Sequence, residues 1–534
     1  MKMSATVTGI VDGRAALTPD ALAASFPQHR LTYAQLAESS LLWARRLRAA
    51  GVRSGDRVAV LLGEGSTTYV SLLLAAPRLG AIVVPLNARY KTAELGHVLA
   101  DARPAILVSS TWFVHLLADT SVPADCRVVT LGDEDDFFHG EQRVTAGEVR
   151  DEERRVDEST RARIIYTSGT TANPKGCVHT HGALIAQAAA VAERLHLTSE
   201  DRFWTPLTLF HTAGWTMLAP LGCGASFHHP GRFEAASALA QIESERCTVL
   251  FPGFETIWLA VLTHPDFETA DLSAVRLVLN VGIPERLQLM QDRLTHAPQV
   301  SNTGSTEASG WLAIGEATDP PEIRAHTCGR PLRGMEVRIV NPETGDDAPD
   351  GTPGELLFRG PFRLLEYFGD PDATTAAIDA DGWFHSGDLL RQEPDGNLVF
   401  LSRLKDMLKV GGENVAAAEI EGFLVQHPAV HIAQVVAAPD ARYTEVPAAF
   451  VELKPGARTT ERELIVFCIG QIATFKVPRY VRFVHEWPMS GTKIKKVSLR
   501  ETIARELRQA GMEQAPPIHP APGLRTRDER IEPA

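Results

Sequence analysis

Hydroxyl and glycine residues cluster at residues 166–176, which read Tyr-Thr-Ser-Gly-Thr-Thr-Ala-Asn-Pro-Lys-Gly. Small residues let a backbone approach a ligand closely, hydroxyl groups donate hydrogen bonds, and Lys175 adds a positive charge. The combination suits a polyphosphate. A flexible surface turn would explain the composition but not the order of the residues. A Walker A loop is excluded, because the chain contains no Gly-Lys dipeptide.

Two acidic residues downstream stand in motifs that could bind the rest of a nucleotide. Glu307 ends the stretch Asn-Thr-Gly-Ser-Thr-Glu, and Asp388 lies in Trp-Phe-His-Ser-Gly-Asp-Leu. A carboxylate can hold a divalent cation between two anions, and it can accept hydrogen bonds from two adjacent hydroxyl groups. The alternatives are a carboxylate at the positive end of a helix for Glu307 and a simple Gly-Asp turn for Asp388.

A basic loop near the C-terminus completes the set, with Lys493 in Trp-Pro-Met-Ser-Gly-Thr-Lys-Ile-Lys-Lys. Taken in order, the four motifs resemble those of the adenylate-forming superfamily, which contains acyl-CoA synthetases, adenylation domains of peptide synthetases and beetle luciferases. The resemblance covers roughly residues 20–505. It implies an enzyme that makes an acyl-adenylate from magnesium ATP and a carboxylic acid, and then transfers the acyl group to a thiol, most simply that of CoA.

The resemblance also implies roles for individual residues. It implies nucleotide binding by Thr167, Ser168, Gly169, Thr170, Thr171, Lys175, Asn302, Thr303, Gly304, Ser305, Thr306, Asp388 and Arg403. It implies catalytic roles, without proton transfer by the histidine, for Lys493, Thr170, Glu307 and His211. It places magnesium on Glu307 and Thr170. It implies an acyl pocket lined by His211, Ala213, Gly214, Trp215, Gly282 and Ile283. It implies an interdomain hinge at Lys405 and CoA contacts at Gly411 and Gly412.

Two positions depart from the family pattern. Thr303 stands where members carry an aromatic ring against adenine, and such a stack is worth about 1 to 3 kcal/mol. The loop before Lys493 is one residue shorter than usual, and Gly491 does not directly precede the lysine. The residues that follow select Lys493 as the catalytic lysine, rather than Lys495 or Lys496. Both departures affect the adenylation half of the reaction.

The elements that must position these residues alternate between strand and helix in the first part of the chain. Thr32 and Gln35 have capping-box spacing before an amphipathic helix that Gly51 closes. Ile164 and Ile165 are predicted to end a buried strand, and because an Ala-rich helical pattern begins near His181, we expect residues 166–176 to join a strand to a helix. Further strands are predicted at 57–62, 81–85, 106–108, 127–130, 248–251 and 275–281, with helices at 67–79, 233–246 and 285–294.

These patterns predict an α/β fold. The large N-terminal domain, residues 1–402, is expected to contain two helix-covered sheets and, from residue 328 to 400, a small β-barrel. Residues 403–512 are expected to form a small α+β domain, which the resemblance implies is a mobile lid that turns between the two half-reactions. Residues 513–534 are rich in Pro and charge and are predicted to be a flexible tail.

Composition excludes several other classes of protein. The chain has 534 residues with 53 Lys and Arg against 66 Asp and Glu, so its net charge of −13 disfavours a nucleic-acid scaffold. The six cysteines are far apart and form no C-x-x-C pair, which argues against a zinc site or a disulfide framework. No apolar run is long enough to span a membrane, and no export pattern opens the chain, so we expect a cytoplasmic protein.

The sequence thus predicts an AMP-forming acyl-CoA synthetase. Small residues near the acyl pocket suggest a roomy apolar cavity for a medium-chain or bulky cyclic acid, and no Lys or Arg stands out there to bind a second carboxylate. Three alternatives stay open: an enzyme of the thioester half that receives an adenylate made by an upstream enzyme, an enzyme that loads a carrier protein, and a nucleotide-binding protein without chemistry. A homodimer is also left open.

Overall fold

The structure, a computed structural model, describes residues 5–63, 65–132, 144–167, 174–410, 413–490 and 493–517. At Lys405, Asn414, Ser490 and Lys493 it describes the backbone only. Over these residues the chain forms two compact units, of which the first comprises Met1–Arg338, Leu357–Ser386 and Glu393–Val399. The second comprises Ile339–Leu356, Gly387–Gln392 and Phe400–Ala534. The predicted domain boundary at residues 402 and 403 and the hinge at Lys405 stay predictions.

The helices in the described ranges, apart from short 3-10 turns, are α1 (Val7–Leu17), α2 (Tyr33–Ala49), α3 (Thr67–Arg78), α4 (Thr92–Ala102), α5 (Val114–Ala118), α6 (Ala146–Glu153), α7 (His181–Arg194), α8 (Leu218–Cys223), α9 (Ala235–Ser244), α10 (Glu255–Leu262), α11 (Pro284–Arg293), α12 (Pro321–His326), α13 (Pro371–Ala377), α14 (Ala417–Val425), α15 (Glu461–Cys468) and α16 (Lys496–Gln509). Their starts follow local chemistry. Thr32 caps α2, and its side chain and that of Gln35 exchange the two hydrogen bonds of the predicted capping box. None of these helices is both long and apolar enough to cross a bilayer.

The strands in the same ranges are β1 (Leu22–Ser25), β2 (Arg30–Thr32), β3 (Arg57–Leu61), β4 (Ile82–Pro85), β5 (Ile106–Ser109), β6 (Arg127–Thr130), β7 (Arg161–Thr167), β8 (Lys175–Thr180), β9 (Arg202–Trp204), β10 (Ser226–His228), β11 (Val249–Phe254), β12 (Leu277–Val281), β13 (Gln299–Val300), β14 (Asn302–Ser305), β15 (Gly310–Ile314), β16 (Arg330–Pro331), β17 (Glu336–Val340), β18 (Gly354–Arg359), β19 (Glu366–Tyr367), β20 (Phe384–Gln392), β21 (Leu398–Arg403), β22 (Met407–Val410), β23 (Glu413–Ala416), β24 (Val430–Asp440), β25 (Thr444–Leu453), β26 (Tyr480–Phe483), β27 (Met489–Ser490) and β28 (Lys493–Ile494).

The predicted α/β architecture is confirmed by two seven-stranded sheets among the described residues. One has the order β19-β8-β7-β4-β3-β5-β6, and the other has the order β13-β12-β11-β9-β10-β1-β2. Their central strands are parallel and consist almost entirely of buried apolar residues, as expected for strands that helices cover on both faces. The β-rich segment that follows forms the sheets β14-β15-β16 and β17-β18-β20-β21.

The prediction that residues 166–176 join a strand to a helix is wrong. A second strand, β8, precedes α7 and pairs antiparallel with β7, from Thr167 opposite Lys175 to Arg163 opposite His179. Four consecutive residues of β8, from Gly176 to His179, are buried, but Val178 is the one large aliphatic side chain among them, so the sequence gave no strand signal. The phosphate loop therefore connects the two strands of a hairpin at the edge of the parallel sheet.

The second unit has its own sheet, in which β23, β22, β25 and β24 are neighbours and β26 pairs with β25. Alternate residues of β24 and β25 point to opposite faces. On one face Val435 and Val451 pack with Ile420 of α14, and on the other face Val436 and Phe450 belong to the cluster that α16 covers. The α+β composition predicted for the C-terminal region is confirmed within this unit.

Candidate active site

One face of the hairpin β7–β8 carries most of the polar residues of the site. Ile164, Tyr166 and Val178 point into the apolar core on the opposite face. Because side chains alternate along a strand, the other face presents three cross-strand pairs: Thr167 with Lys175, Ile165 with Cys177, and Arg163 with His179. We call this set the polar face. It begins at the predicted phosphate loop and runs to the buried end of the hairpin.

The strand β19 extends the polar face by one residue, Tyr367, which pairs with Cys177 on β8. The Tyr367 ring lies 5.2 Å from Lys175 Nζ, and its hydroxyl donates a hydrogen bond of 3.0 Å to Glu307 Oε1. The structure thus brings together Lys175 and Glu307, which the sequence placed in separate motifs. Tyr367 fixes one carboxylate oxygen of Glu307 through that hydrogen bond.

Electrostatics keep the neighbouring groups of the polar face protonated. Burial, and after it the charge of Glu307, raise the pKa of Tyr367 well above its ordinary value, so its hydroxyl remains a donor. Burial and the same charge raise the pKa of the Cys177 thiol well above its ordinary value, although Arg163 and Lys175 oppose this effect. Cys177 is therefore an unreactive thiol whose pKa is affected by the charges of Glu307, Arg163 and Lys175.

The described residues fit a magnesium ion that is held jointly by the protein and by the phosphates of its substrate. They contain no group of three or more His, Cys, Asp or Glu side chains that would hold a metal alone. Magnesium typically binds through one or two carboxylates together with substrate phosphates, and Glu307 at the end of the polar face offers one oriented carboxylate. The other predicted ligand, Thr170, lies outside the described residues, so the magnesium site stays a prediction.

The nucleotide-binding stretch Asn302 to Thr306 forms β14 and the start of the 3-10 turn Thr306–Ala308 that carries Glu307. Gly304 lies against Gly310 of β15 so closely that a Cβ atom there would stand 1.9 Å from the Gly310 carbonyl oxygen. Any larger residue would force the strands apart. Asn302 is buried, and its Nδ2 has no partner among the described residues. Thr303 pairs with Ala313, so neither residue of this cross-strand pair supplies a ring in place of the missing aromatic residue.

The predicted acyl-pocket residues lie around a 3-10 helix, Thr212–Met217, that follows His211. The His211 ring packs 4.6 Å from that of Phe210. Gly214 approaches the backbone of Leu209, because a Cβ atom at that position would lie 2.4 Å from the Leu209 Cα. Trp215 is buried. Ala213, Gly282 and Ile283 are half-buried, and the last two follow β12.

The second unit brings two other predicted nucleotide contacts together. Arg403 Nε lies 2.7 Å from Asp388 Oδ1, with Asp388 nearly buried on β20 and Arg403 half-exposed at the end of β21. The preceding Gly387 has φ of +66°, a conformation that favours glycine, and its amide donates to Glu355 Oε1 at 3.0 Å. The roles of Asp388 and Arg403 toward a ribose stay predictions.

The C-terminal lysines differ in their surroundings. Lys493 begins β28 and pairs antiparallel with Ser490 of β27. Lys496 donates to Glu421 Oε1 at 2.6 Å, and the same oxygen accepts from the Val435 amide. Lys496 therefore holds α16 against α14. Lys495 is exposed.

Several predicted site residues lie outside the described residues. In the phosphate loop these are Ser168, Gly169, Thr170 and Thr171, and in the second unit they are Gly411 and Gly412. Thr167, the last residue of β7, is described, and its hydroxyl donates to the Lys175 carbonyl oxygen at 3.5 Å. The roles of Thr167 and of the residues outside the described ranges stay predictions.

Two residues of the site were missed from the sequence. Tyr367 lies 60 residues from its partner Glu307, in a stretch without any recognised motif. Arg163 lies on the polar face, and its guanidinium carbon is 5.0 Å from the Trp215 ring centroid. The sequence offered no Lys or Arg near the predicted acyl-pocket residues that could bind a second carboxylate, and Arg163 is an arginine that the structure places beside one of them, Trp215. The one signal available in the sequence was the period of two along β7, in which Arg163 alternates with residues of the core.

Comparison with known proteins identifies the family. The model for AMP-binding enzymes matches residues 11–368, and the model for the AMP-binding enzyme C-terminal domain matches residues 419–493. The chain therefore belongs to the adenylate-forming superfamily of AMP-binding enzymes.

Individual relatives narrow the class. A feruloyl-CoA synthase of Amycolatopsis sp is 35% identical over 492 residues, which cover 91% of this chain and 97% of the relative. A methyl-dioxo-octahydro-indenyl-propanoyl:CoA ligase of Mycobacterium tuberculosis is 35% identical over 512 residues, covering 93% and 98%. The solved structure of the anthranilate CoA ligase AuaEII with anthranoyl-AMP has a TM-score of 0.84 at 26% identity, covering 95% of this chain and 99% of that chain. The chain is an AMP-forming acid-thiol ligase, an acyl-CoA synthetase with ATP and CoA as substrates.

Proposed function

We propose that this acyl-CoA ligase activates an acid with a largely apolar acyl group, either a bulky cyclic or a medium-chain one, and that it does so through a magnesium-dependent acyl-adenylate. The observation that carries the proposal is the arrangement on the polar face. Lys175 and the Tyr367-bound carboxylate of Glu307 lie together at the end where the phosphate loop begins. Opposite charges in one place suit a triphosphate and its cation.

In the adenylation half, the acid's carboxylate attacks the α-phosphorus of ATP, and pyrophosphate leaves. A pentavalent phosphorus carries more negative charge than the ground state, so cations and hydrogen-bond donors stabilise it. We assign this role to Lys493 and to the donors from Ser168 to Thr171, and we assign the magnesium ion to Glu307 and Thr170. When bound, the magnesium ion supplies charge neutralisation between the acid and the phosphates.

In the thioester half, the CoA thiol attacks the adenylate's carbonyl carbon, and AMP leaves. The adenylate is needed because a free carboxylate is a poor electrophile. We assign Asp388 and Arg403 to the ribose and phosphate of the nucleotide in both halves, and Gly411 and Gly412 to the pantetheine arm. A turn of the C-terminal domain about Lys405 belongs to this proposal.

The size of the acid is proposed from the small residues of the acyl pocket. Gly214 is small because a Cβ atom there would collide with Leu209, so the half-buried Ala213 and Gly282 are the small residues proposed to leave room beside the His211 ring. The named acids of the relatives agree with a bulky group, since ferulic and anthranilic acids are aromatic and the indenyl acid is bicyclic. His211 is proposed to line this pocket without transferring a proton.

The test is a panel of aromatic, bicyclic and straight-chain acids, assayed for CoA-dependent AMP release with magnesium present and after its removal by a chelator. We expect turnover to be highest with cyclic or medium-chain acids and to disappear with the chelator. Turnover restricted to acetate-sized acids would contradict the proposed substrate class. Turnover that persists in the chelator would contradict the magnesium site.

A thioester-half enzyme is the second candidate, because Thr303 and its partner Ala313 offer no ring for adenine. Exchange of radiolabelled pyrophosphate into ATP in the presence of the acid separates the two candidates. Exchange supports the full ligase, whereas its absence, together with thioester formation from a preformed adenylate, supports the half enzyme. Competition between CoA and carrier proteins tests the acceptor, and the cytoplasmic location and the homodimer stay predictions.

A further inference from the structure

A fully buried arginine lies on the polar face away from the phosphate loop. Arg163 has no exposed surface. Its Nε donates to His179 Nδ1 at 3.4 Å, its Nη2 donates to the Ser309 carbonyl oxygen at 2.8 Å, and its guanidinium stacks over Trp215. Three elements of the first unit therefore meet at this side chain.

The charge of Arg163 has no carboxylate partner in the described part of the chain. The Nη1 of Arg163 and the Nε1 of Trp215 are both buried, and neither has an acceptor among the described residues. Buried polar groups are normally paired, and a buried charge is costly unless it is paired. Both unpaired atoms are donors, so what is missing here is an oxygen acceptor.

The neighbouring histidine cannot supply a compensating charge. His179 is buried, and burial together with the positive charge of Arg163 holds its pKa well below the ordinary value. Its Nδ1 accepts from Arg163, so the neutral ring carries its proton on Nε2. Burial lowers the pKa of the Arg163 guanidinium to about 9, which leaves it charged at neutral pH.

The position of Arg163 relates the charge to the acyl group. Arg163 and Thr167 are four residues apart on one face of β7, which corresponds to about 13 Å between their Cα atoms. Thr167 adjoins the phosphate loop, and the proposed function puts the reacting carboxyl group of the acid beside the α-phosphate of the nucleotide bound there. Trp215, under the guanidinium, belongs to the proposed acyl pocket. With this spacing, and with Trp215 in the proposed pocket, the unpaired donors correspond to the far end of an extended acyl group whose carboxyl group lies near Thr167.

We infer that Arg163 and Trp215 form an oxygen-binding subsite at the far end of the acyl pocket, so that the preferred acid carries a carbonyl or carboxylate oxygen at the end opposite to its reacting carboxyl group. The inference rests on the proposed function of this pocket. It names a feature of the acid that small pocket residues alone do not determine. A site that hydrogen-bonds a substrate oxygen rejects the analogue that lacks it, because its own polar groups then stay unpaired.

A purely structural role would give a different result. Ser309 has φ of +61°, it is buried, and its carbonyl oxygen accepts from Arg163 while its hydroxyl donates to the Phe362 carbonyl oxygen. Arg163 therefore also holds the turn that follows Glu307. Loss of this support would slow the reaction of every acid by a similar factor, whereas loss of an oxygen subsite changes the ratio between acids.

The experiment compares three acids of equal chain length: octanoate, its oxo derivative with the carbonyl one carbon from the end, and octanedioate. For the wild type we expect kcat/KM to be about 10 to 100 times higher for the better of the two oxygenated acids than for octanoate. In Arg163→Met this preference should fall to near unity or reverse. Comparison of the two oxygenated acids tells whether a carbonyl or a second carboxylate is preferred.

Arg194→Met is the matched control. Arg194 is an arginine of the first unit that, like Arg163, donates to backbone carbonyl oxygens, those of Ile314 and Arg330, but it is only partly buried and it also pairs with Glu316. We expect it to lower kcat/KM for all three acids equally and to keep their ratio. Trp215→Phe keeps the ring but removes the Nε1 donor, and we expect it to reduce the preference by a smaller factor than Arg163→Met.

Two results would overturn the inference. One is a wild type that makes octanoyl-CoA at least as well as both oxygenated thioesters. The other is an Arg163→Met variant that slows all three acids by the same factor, which would assign Arg163 to the turn alone. If no acid of any panel gives a thioester, the proposed function fails instead. Calorimetric titration of the three acids then still decides the inference, because equal affinities in wild type and Arg163→Met refute it.

Discussion

The hydrogen bond from Tyr367 to Glu307 gives a sharp test of how the site is built. Tyr367→Phe removes the hydroxyl but keeps the ring under Lys175. The lost bond is 3.0 Å long, partly buried, and made to a carboxylate, for which about 1.5 to 3 kcal/mol is typical. The variant keeps the Glu307 carboxylate but removes the hydrogen bond that orients it.

If the bond is fully formed in the transition state, its loss corresponds to a decrease of roughly 10- to 100-fold in the rate of pyrophosphate exchange. The concentration of magnesium that gives half of the maximal rate should rise as well, because a misoriented carboxylate binds the ion less well. Thioester formation from a preformed adenylate should change much less. These three measurements use the same protein preparation.

Tyr69→Phe is the matched control. The Tyr69 hydroxyl is buried on α3 and has no partner among the described residues, so its removal leaves no group unpaired. We expect this variant to keep its exchange rate and to be as stable as the wild type or slightly more stable. Equal exchange rates and equal magnesium dependence in Tyr367→Phe and wild type would refute the idea that Tyr367 orients Glu307.

The remaining predictions concern the lysines and a buried histidine. Lys496→Met should lower the free energy of unfolding by about 2 kcal/mol and keep activity, because its carboxylate partner is nearly buried. Lys495→Met should change neither the free energy of unfolding, measured by chemical denaturation, nor the rate of pyrophosphate exchange. Lys493→Ala should abolish exchange. Loss of exchange in Lys495→Met instead would contradict the assignment of Lys493 as the catalytic lysine. Burial lowers the pKa of His181 to about 4, so the unfolded chain binds the proton first as the pH falls below about 6.5, and stability is lost down to about pH 4. Between about pH 7 and pH 5 the wild type should lose about 2 kcal/mol more than His181→Asn, whereas the exposed His115→Asn should match the wild type; identical losses in all three would refute the buried neutral histidine.

Local signals determined much of the fold. The capping box of Thr32 and Gln35 predicted the start of α2 to the residue, and short runs of β-branched residues predicted β3 to β6 within one residue. Such signals depend only on residues that are neighbours in sequence, so they can be read from one sequence alone. The strand β8 was missed for the opposite reason. Its polar face follows from its pairing with β7, and pairing is a long-range property.

The site was predictable where residues stand in motifs and not where they meet through tertiary structure. Glu307, Asp388 and Lys175 were identified by their sequence context, and the structure adds the ion pair of Asp388 with Arg403. Tyr367 and Arg163 were missed because each acts through contacts across strands that the sequence separates. The buried charge of Arg163 contradicts its local context, in which an apolar residue would be expected.

The alternation of side chains along β7 has a consequence for how the enzyme measures its substrate. Under the subsite inferred at Arg163, the positions of β7 that would face the acyl group recur at every second residue, so the next such position is Ile165, about 7 Å closer to the phosphate loop. Intermediate positions such as Ile164 point into the opposite core. Under the same inference, acceptance of a shorter acid would require exchanging the residues at 163 and 165, because no position between them lies on this face of the strand.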